Sequence, residues 1–104
     1  AAQDGNIGRS AYSSSKAALA SFAKVLSREL GAQKIRVNTI SPGLTETDMM
    51  IDSTAKEYLE NIVKEIPLKR IANPADVSKL ILYLSSDLSE YITGQDLRID
   101  GGLK

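Results

Sequence analysis

The sequence predicts an α/β protein in which the elements follow one another as helix, strand, helix, helix, strand. Three segments, 11–30, 56–66 and 74–84, place apolar residues at helical spacing. Two short segments are predicted to be strands: 35–40 is rich in β-branched residues, and 97–100 alternates apolar with charged side chains. Because helices separate the two strands, we expect a parallel pair joined by a right-handed crossover.

The first predicted helix occupies residues 11–30, which contain neither Gly nor Pro. Residues 1–9 hold two glycines, an Asn and an Asp and are predicted to form a loop. Ser10 is a suitable N-cap for the helix, and Gly31 is predicted to end it. One face collects the residues that recur at helical spacing: Tyr12, Lys16, Leu19, Ala23, Leu26 and Leu30.

Turn and capping residues delimit the later elements. Ser41-Pro42-Gly43 ends the first strand, and residues 44–53 are consistent with a short helical turn. Pro67 stops the second helix. Asn73-Pro74-Ala75-Asp76 is typical of a helix start, because Asn caps, Pro suits the first turn and Asp complements the positive helix end.

Each of the two later helices carries an apolar stripe that predicts which side it buries. The stripe residues are Leu59, Ile62, Val63 and Ile66 in the second helix and Val77, Leu80, Ile81 and Leu84 in the third. Tyr91-Ile92-Thr93-Gly94 is predicted to form a turn before the last strand, which Gly101-Gly102 closes.

Composition excludes several classes of function. The chain has 104 residues, enough for one small domain, and its 13 basic and 13 acidic side chains balance without a basic run. No apolar stretch approaches the roughly 20 residues that cross a bilayer, and no signal peptide is visible. The absence of His and Cys excludes a Ser-His-Asp triad, histidine or thiolate metal sites and disulfides. We therefore expect a cytoplasmic protein without metal, nucleic-acid or membrane partners.

Two polar side chains stand on the otherwise apolar face of the first helix. Tyr12 and Lys16 are four residues apart and are therefore neighbours. A free phenol is too weak an acid to exchange protons readily near neutral pH, whereas a nearby ammonium and the positive end of a helix favour its ionised form. The pair is thus a candidate for general acid/base catalysis. A Tyr and a Lys at this spacing also occur by chance, so the motif alone leaves an ordinary structural pair open.

Five segments, in order, resemble the short-chain dehydrogenase/reductase family: SAYSSSKAAL at 10–19, IRVNTISPG at 35–43, TETDM at 45–49, YITGQ at 91–95 and DGG at 100–102. The resemblance implies that residues 1–104 form a single partial domain, the C-terminal portion of a Rossmann-type doubly wound parallel sheet. The N-terminal half of that domain, with its Gly-rich phosphate loop, is absent from this sequence.

The resemblance also implies roles for individual residues. Tyr12 is the expected acid/base toward the substrate and is also expected to line the cofactor site. Lys16 is expected to bind the nicotinamide ribose while assisting Tyr12. Pro42 and Gly43 shape a turn after which the backbone at Thr45 contacts the nicotinamide carboxamide. A side chain at Thr47 assists that contact. An ordinary strand-ending turn is the alternative for Pro42 and Gly43. The expected cofactor is NADP or NAD, with NADP favoured.

The implied activity is the interconversion of a carbonyl and a secondary alcohol by hydride transfer. Within the family the sequence looks most like the 3-oxoacyl-acyl carrier protein reductases of fatty acid biosynthesis, although sugar, polyol and steroid dehydrogenases share the same features. Residues 48–66 correspond to the family's substrate lid. A homodimer or homotetramer is expected, with close helix approach at a row of small residues: Ser14, Ala17, Ala18 and Ser21.

A second interpretation is a truncated, non-catalytic relative that acts only as an association module. The family's catalytic serine and an assisting asparagine have no counterpart in this sequence. We therefore expect the 104-residue chain to be inactive on its own, even if it carries the acid/base pair.

Overall fold

The computed structural model describes residues 2–46 and 53–103 and contains the five predicted elements in the predicted order. Helices α1, α2 and α3 span Ala2–Leu30, Ser53–Glu65 and Pro74–Ser85. Strands β1 and β2 span Thr39–Pro42 and Asp96–Ile99 and form a two-stranded sheet. Short 3₁₀ turns at Gly31–Gln33 and Asp87–Ser89 follow α1 and α3.

Helix α1 is described from Ala2 onward, so the predicted loop is wrong at residues 2–9 and the predicted cap at Ser10 is wrong. Gly5 and Gly8 each disfavour a helix by only about 1 kcal/mol relative to Ala, and no proline interrupts the segment. Once the strong helical run after Ser10 is formed, adding further residues needs no new nucleus. The predicted end is confirmed, because α1 stops at Leu30, immediately before Gly31.

The two strands are parallel. The N–H of Thr39 donates to the carbonyl of Gln95 at 2.9 Å, and that of Gly43 donates to Ile99 at 2.9 Å, so the partners advance in the same direction. Strand β1 starts four residues later than the sequence pattern predicts. The preceding residues 35–38 are instead tied to the turn at 91–94, in part through side chains.

Asn38 and Thr93 provide that tie. The amide of Asn38 donates to the Ile92 carbonyl at 3.1 Å, while its oxygen accepts from the Gln95 N–H at 3.1 Å. The Thr93 hydroxyl accepts from the Val37 N–H at 3.0 Å. Polar side chains thus satisfy backbone groups that a regular ladder would otherwise pair, which explains why the strand begins late.

The chain divides into two compact units. The first comprises Ala1–Thr39 and Glu90–Asp96, and the second comprises Ile40–Ser89 and Leu97–Lys104. In the first unit the described buried residues, Ala23 and Ser27, lie on α1. Gly94, with φ at 72°, approaches Ser27 so closely that an added Cβ would lie 2.6 Å from its hydroxyl oxygen. The left-handed φ favours a glycine at this turn, and the close approach of Ser27 further disfavours a side chain there.

In the second unit the described core is centred on Ile66, which is 3% exposed. Ile66 directly follows α2, which ends at Glu65. The other residues of the predicted stripe, Leu59, Ile62 and Val63, lie on α2 and are half-buried, which confirms the stripe. In α3, Val77, Leu80 and Leu84 are half-buried, but Ile81 is exposed, so the predicted stripe is too wide by one residue.

Helix α3 starts as its sequence predicts. The Asn73 side chain accepts from the Asp76 N–H at 3.2 Å, the Asp76 carboxylate accepts from the Asn73 N–H at 2.9 Å, and Pro74 occupies the first turn. Both partners of this capping box lie within one turn, so local sequence is sufficient to specify it. No helix among the described residues is both long enough and apolar enough for a bilayer crossing.

Candidate active site

Tyr12 and Lys16 are brought together on α1. The Lys16 Nζ lies 5.7 Å from the centroid of the Tyr12 ring, within the range of a cation–π contact. This proximity follows from helical spacing, since residues four apart share a face. The arrangement holds a positive charge beside a phenol, and a nearby positive charge favours the ionised form of a phenol.

The environment of the pair differs from the prediction. Tyr12 is 62% exposed and Leu19 is 56% exposed, so the predicted inward face is wrong at these two positions. The less exposed face instead runs from the half-buried Lys16 through Ala20, Ala23 and Ser27 to Leu30. In the first unit, the close contact with Gly94 is made by Lys24 and Ser27, in the later half of the helix. Tyr12 is therefore left accessible.

The second predicted group of site residues follows β1. Pro42 ends the strand and is exposed, and the N–H of Gly43 donates to the Ile99 carbonyl at 2.9 Å. A Cβ at Gly43 would lie 2.9 Å from the Cβ and 3.0 Å from the Cα of Asp100. Gly43 is therefore required by close packing of the two chain segments at the carboxyl end of the sheet.

Thr45 is held by a short parallel bridge to Ala72. The Ala72 N–H donates to the Leu44 carbonyl at 3.0 Å, and the Glu46 N–H donates to the Ala72 carbonyl at 2.7 Å. Because peptide groups alternate in direction along an extended chain, the N–H and C=O of Thr45 itself face the edge opposite Ala72. One donor and one acceptor thus stand side by side on that edge.

Sequence reasoning missed this bridge. Ala72 lies in the connection between α2 and α3, and the only local signal is a short apolar pair, Ile71-Ala72, before the Asn73 cap. Thr47, whose side chain is expected to assist the carboxamide contact, lies outside the described residues, as do residues 47–52 of the predicted helical turn and residues 48–52 of the predicted lid. Of the predicted site residues, Tyr12 and Lys16 belong to the first unit, whereas Pro42, Gly43 and Thr45 belong to the second.

An ion pair that the sequence did not predict adjoins Ala72. Arg70 donates from both terminal nitrogens to the Asp76 carboxylate, at 2.7 and 3.1 Å, and also donates to the Ile71 carbonyl at 3.2 Å. The hydrogen bonds from Arg70 and from the Asn73 N–H lower the pKa of Asp76 from 3.8 to about 2. The same pairing raises the pKa of Arg70.

This depressed pKa predicts how stability depends on pH. Asp76 is a stronger acid in the folded state, so its contribution is complete above about pH 4 and is lost as the pH falls through about 2. We expect the difference in unfolding free energy between the wild type and Asp76→Asn to be constant from about pH 7 to 5 and to shrink toward pH 2. Urea unfolding at several pH values measures it, and a difference that grows on acidification would contradict the assignment.

The second unit also contains a recess of about 170 Å³ beside the loop after β1. Its walls are mainly apolar, with the Arg70–Asp76 pair and Asp100 supplying the polar part. The apolar lining residues are Leu44, Ile66, Leu68, Ala72, Ile99 and Leu103.

Comparison with known proteins assigns the family. A family model described as enoyl-(acyl carrier protein) reductase matches residues 1–104. The chain is 44% identical over 92 residues to an uncharacterized short-chain type dehydrogenase/reductase of Sinorhizobium fredii, covering 88% of this chain and 36% of that protein. The chain belongs to the short-chain dehydrogenase/reductase family.

A second relative is the 3-oxoacyl-[acyl-carrier-protein] reductase FabG of Chlamydia trachomatis, 43% identical over 102 residues, which cover 95% of this chain and 40% of that reductase. The present short-chain dehydrogenase/reductase thus spans about 40% of the length of the curated relatives it matches. The resemblance to the family that the sequence predicts is thereby confirmed.

Solved structures of the family match the fold. A 4-hydroxyisoleucine dehydrogenase mutant complexed with NADH and succinate aligns with a TM-score of 0.81 at 38% identity, over 91% of this chain and 40% of that one. YwfH, an NADPH-dependent reductase involved in bacilysin biosynthesis, aligns with a TM-score of 0.76 at 32% identity, over 85% and 37%. The predicted fold class, part of a Rossmann-type parallel sheet, is confirmed.

Proposed function

We propose that this short-chain dehydrogenase/reductase chain supplies the proton-transfer residues and part of the cofactor site of an NAD(P)-dependent oxidoreductase that interconverts a carbonyl and a secondary alcohol. The observation that carries the proposal is the contact of the Lys16 ammonium with the accessible Tyr12 ring on one helix. A bound nicotinamide supplies or accepts the hydride.

Tyr12 performs the proton transfer in this proposal. In reduction its hydroxyl donates a proton to the carbonyl oxygen as negative charge develops there, and in oxidation the phenolate accepts that proton back. Lys16 places a positive charge beside the phenol during the transfer and has three N–H donors for a ribose hydroxyl. The exposure of Tyr12 leaves its hydroxyl within reach of a substrate.

The loop after β1 provides the contact for the nicotinamide carboxamide. A primary carboxamide has one acceptor oxygen and a donor NH₂ group, and the backbone N–H and C=O of Thr45 offer a donor and an acceptor on the edge opposite Ala72. Pro42 and Gly43 set the path of the chain into this edge, and Thr47 is proposed to add a side-chain contact. The residues present therefore fit the cofactor.

NADP is favoured over NAD in the proposal, although similar structures include one with NADH and an NADPH-dependent enzyme. The proposed substrate is a 3-oxoacyl thioester of fatty acid biosynthesis, as the name of the Chlamydia relative suggests. The family model instead carries the name of an enoyl reductase, which reduces a carbon–carbon double bond. A cytoplasmic location is proposed with this role.

A homo-oligomer is proposed for the same protein. Helix α1 exposes the large apolar side chains of Leu19, Phe22 and Val25, besides its row of small residues. Exposed apolar surface of this kind is typical of a protein interface. The same exposed surface also favours the second candidate function, a non-catalytic association module. A measurement of enzymatic turnover therefore distinguishes the oxidoreductase from the association module.

A chimera tests the proposed function. Residues 1–104 replace the matching segment of the Chlamydia trachomatis reductase, and oxidation of NADPH and of NADH is followed with a 3-oxoacyl thioester and with an enoyl thioester. We expect turnover that depends on the 3-oxo substrate and is faster with NADPH. A folded chimera that binds cofactor but turns over neither substrate would support the association module instead.

A further inference from the structure

The connection between α2 and α3 is fixed to the start of α3 at two points. Upstream, the Arg70 guanidinium donates one hydrogen bond to each oxygen of the Asp76 carboxylate. Downstream, the Asn73 N–H donates to the same carboxylate at 2.9 Å, and the Asn73 side chain accepts from the Asp76 N–H at 3.2 Å. We call this arrangement of Arg70, Asn73 and Asp76 the 70–76 clamp.

The backbone between the two attachment points is the part that pairs with the loop after β1. Ala72 lies two residues after Arg70 and one before Asn73, and its N–H and C=O bond to Leu44 and Glu46. The Arg70 guanidinium also donates to the Ile71 carbonyl at 3.2 Å, which fixes the peptide immediately before Ala72. The clamp thus sets both the position and the orientation of the Ala72 peptide groups.

We infer that Arg70 and Asp76 are positioning residues that act through Ala72 to hold the Thr45 backbone in place for the nicotinamide carboxamide. This inference rests on the cofactor role proposed for Thr45. The path of contacts runs from the first turn of α3, through the carboxylate and the guanidinium, to Ala72 and then to residues 44–46. Because the capping box restrains this end of α3, it supplies a fixed reference for the loop.

A bidentate Arg–carboxylate pair suits this task. Two parallel hydrogen bonds restrict rotation as well as distance, which a single Lys–carboxylate contact does not. If the guanidinium is lost, the Asn73 attachment remains on one side and the Leu68 N–H bond to the Gly101 carbonyl on the other, so the peptides between them, at residues 70 and 71, gain freedom to rotate. The Leu44 and Glu46 hydrogen bonds to Ala72 would then loosen, and the Thr45 edge would lose its fixed orientation.

Amide hydrogen exchange of the full 104-residue chain tests the inference without cofactor. We expect Arg70→Gln to speed exchange of the Glu46 and Ala72 amides by roughly tenfold, because these two donors form the bridge. The Gly94 amide, which donates to Val37 in the other unit, serves as an internal reference and should not change. Wild-type Glu46 and Ala72 amides that exchange without protection would overturn the inference.

Arg98→Gln is the matched control. The Arg98 side chain is as exposed as that of Arg70, at 56% against 55%. Its ion pair is weaker, because its Nε lies 3.9 Å from one oxygen of Asp100. The control should leave the Glu46 and Ala72 amides unchanged. Arg70→Lys, which keeps the charge without the two-pronged geometry, should give intermediate exchange. Equal effects of Arg70→Gln and Arg98→Gln would also overturn the inference.

Cofactor kinetics in the chimera complete the test. A misplaced carboxamide contact should raise the KM for the nicotinamide cofactor about ten- to hundredfold for Arg70→Gln, with a smaller change in kcat. Faster exchange with an unchanged cofactor KM would overturn the positioning role while leaving the proposed function intact. A wild-type chimera that binds no cofactor would instead contradict the proposed function, and the exchange data would still report on the clamp.

Discussion

Replacement of Tyr12 by Phe is expected to lower carbonyl reduction by the chimera about 10²- to 10⁴-fold, the usual contribution of a positioned acid or base. The substitution removes one oxygen and keeps the ring, so the contact with the Lys16 ammonium can persist. Within residues 1–104 Tyr12 is exposed, so no buried group of this segment loses a partner, and the stability of the 104-residue chain should change little. Cofactor binding, measured by fluorescence titration, should stay within about twofold.

Tyr91→Phe is the control for this prediction. Tyr91 is a fully exposed tyrosine in the same unit, in the turn before β2, and it has no proposed catalytic role. Its variant should retain wild-type turnover. If Tyr12→Phe also retains near-normal turnover, the phenol is not the proton donor, and the proposed mechanism is wrong.

Replacement of Gly43 by Ala is expected to destabilise the second unit by about 1–3 kcal/mol, the range observed when atoms are forced into packed sites. The added Cβ would lie 2.9 Å from the Cβ and 3.0 Å from the Cα of Asp100. Since one of these atoms belongs to the backbone, the strain is not relieved by rotating a side chain. The two chain segments must move apart, and the Gly43 N–H bond to Ile99 should lengthen.

This movement should also weaken cofactor binding, because Gly43 precedes the edge proposed to contact the carboxamide. Gly31→Ala makes the same chemical change at a glycine with nothing within 4 Å of the added Cβ. We expect that control to be neutral or slightly stabilising, since it only restricts the unfolded chain. Urea unfolding followed by circular dichroism measures both variants, and equal unfolding free energies would contradict the packing argument at Gly43.

The start of α3 and the start of α1 illustrate the limits of local prediction. The Asn73–Asp76 capping box is encoded within four residues, and it forms as predicted. At α1 the glycines near the N-terminus signalled a loop, but the helix continues to Ala2 because the run that follows is a strong nucleus. The glycines disfavour the helix by only about 1 kcal/mol each, so the strong helix former that follows them determines whether they become helical.

The sequence by itself determined the family, the order of elements and the pairing of Tyr12 with Lys16, because each depends on residues within a turn of one another or on segments in fixed order. The tertiary structure alone decided the bridge from Thr45 to Ala72, the salt bridge from Arg70 to Asp76 and the exposure of Tyr12. Those features depend on which distant backbone segments meet and on what packs over a side chain. The helical periodicity of a sequence does not indicate which distant segments will pair or which side chains will be covered.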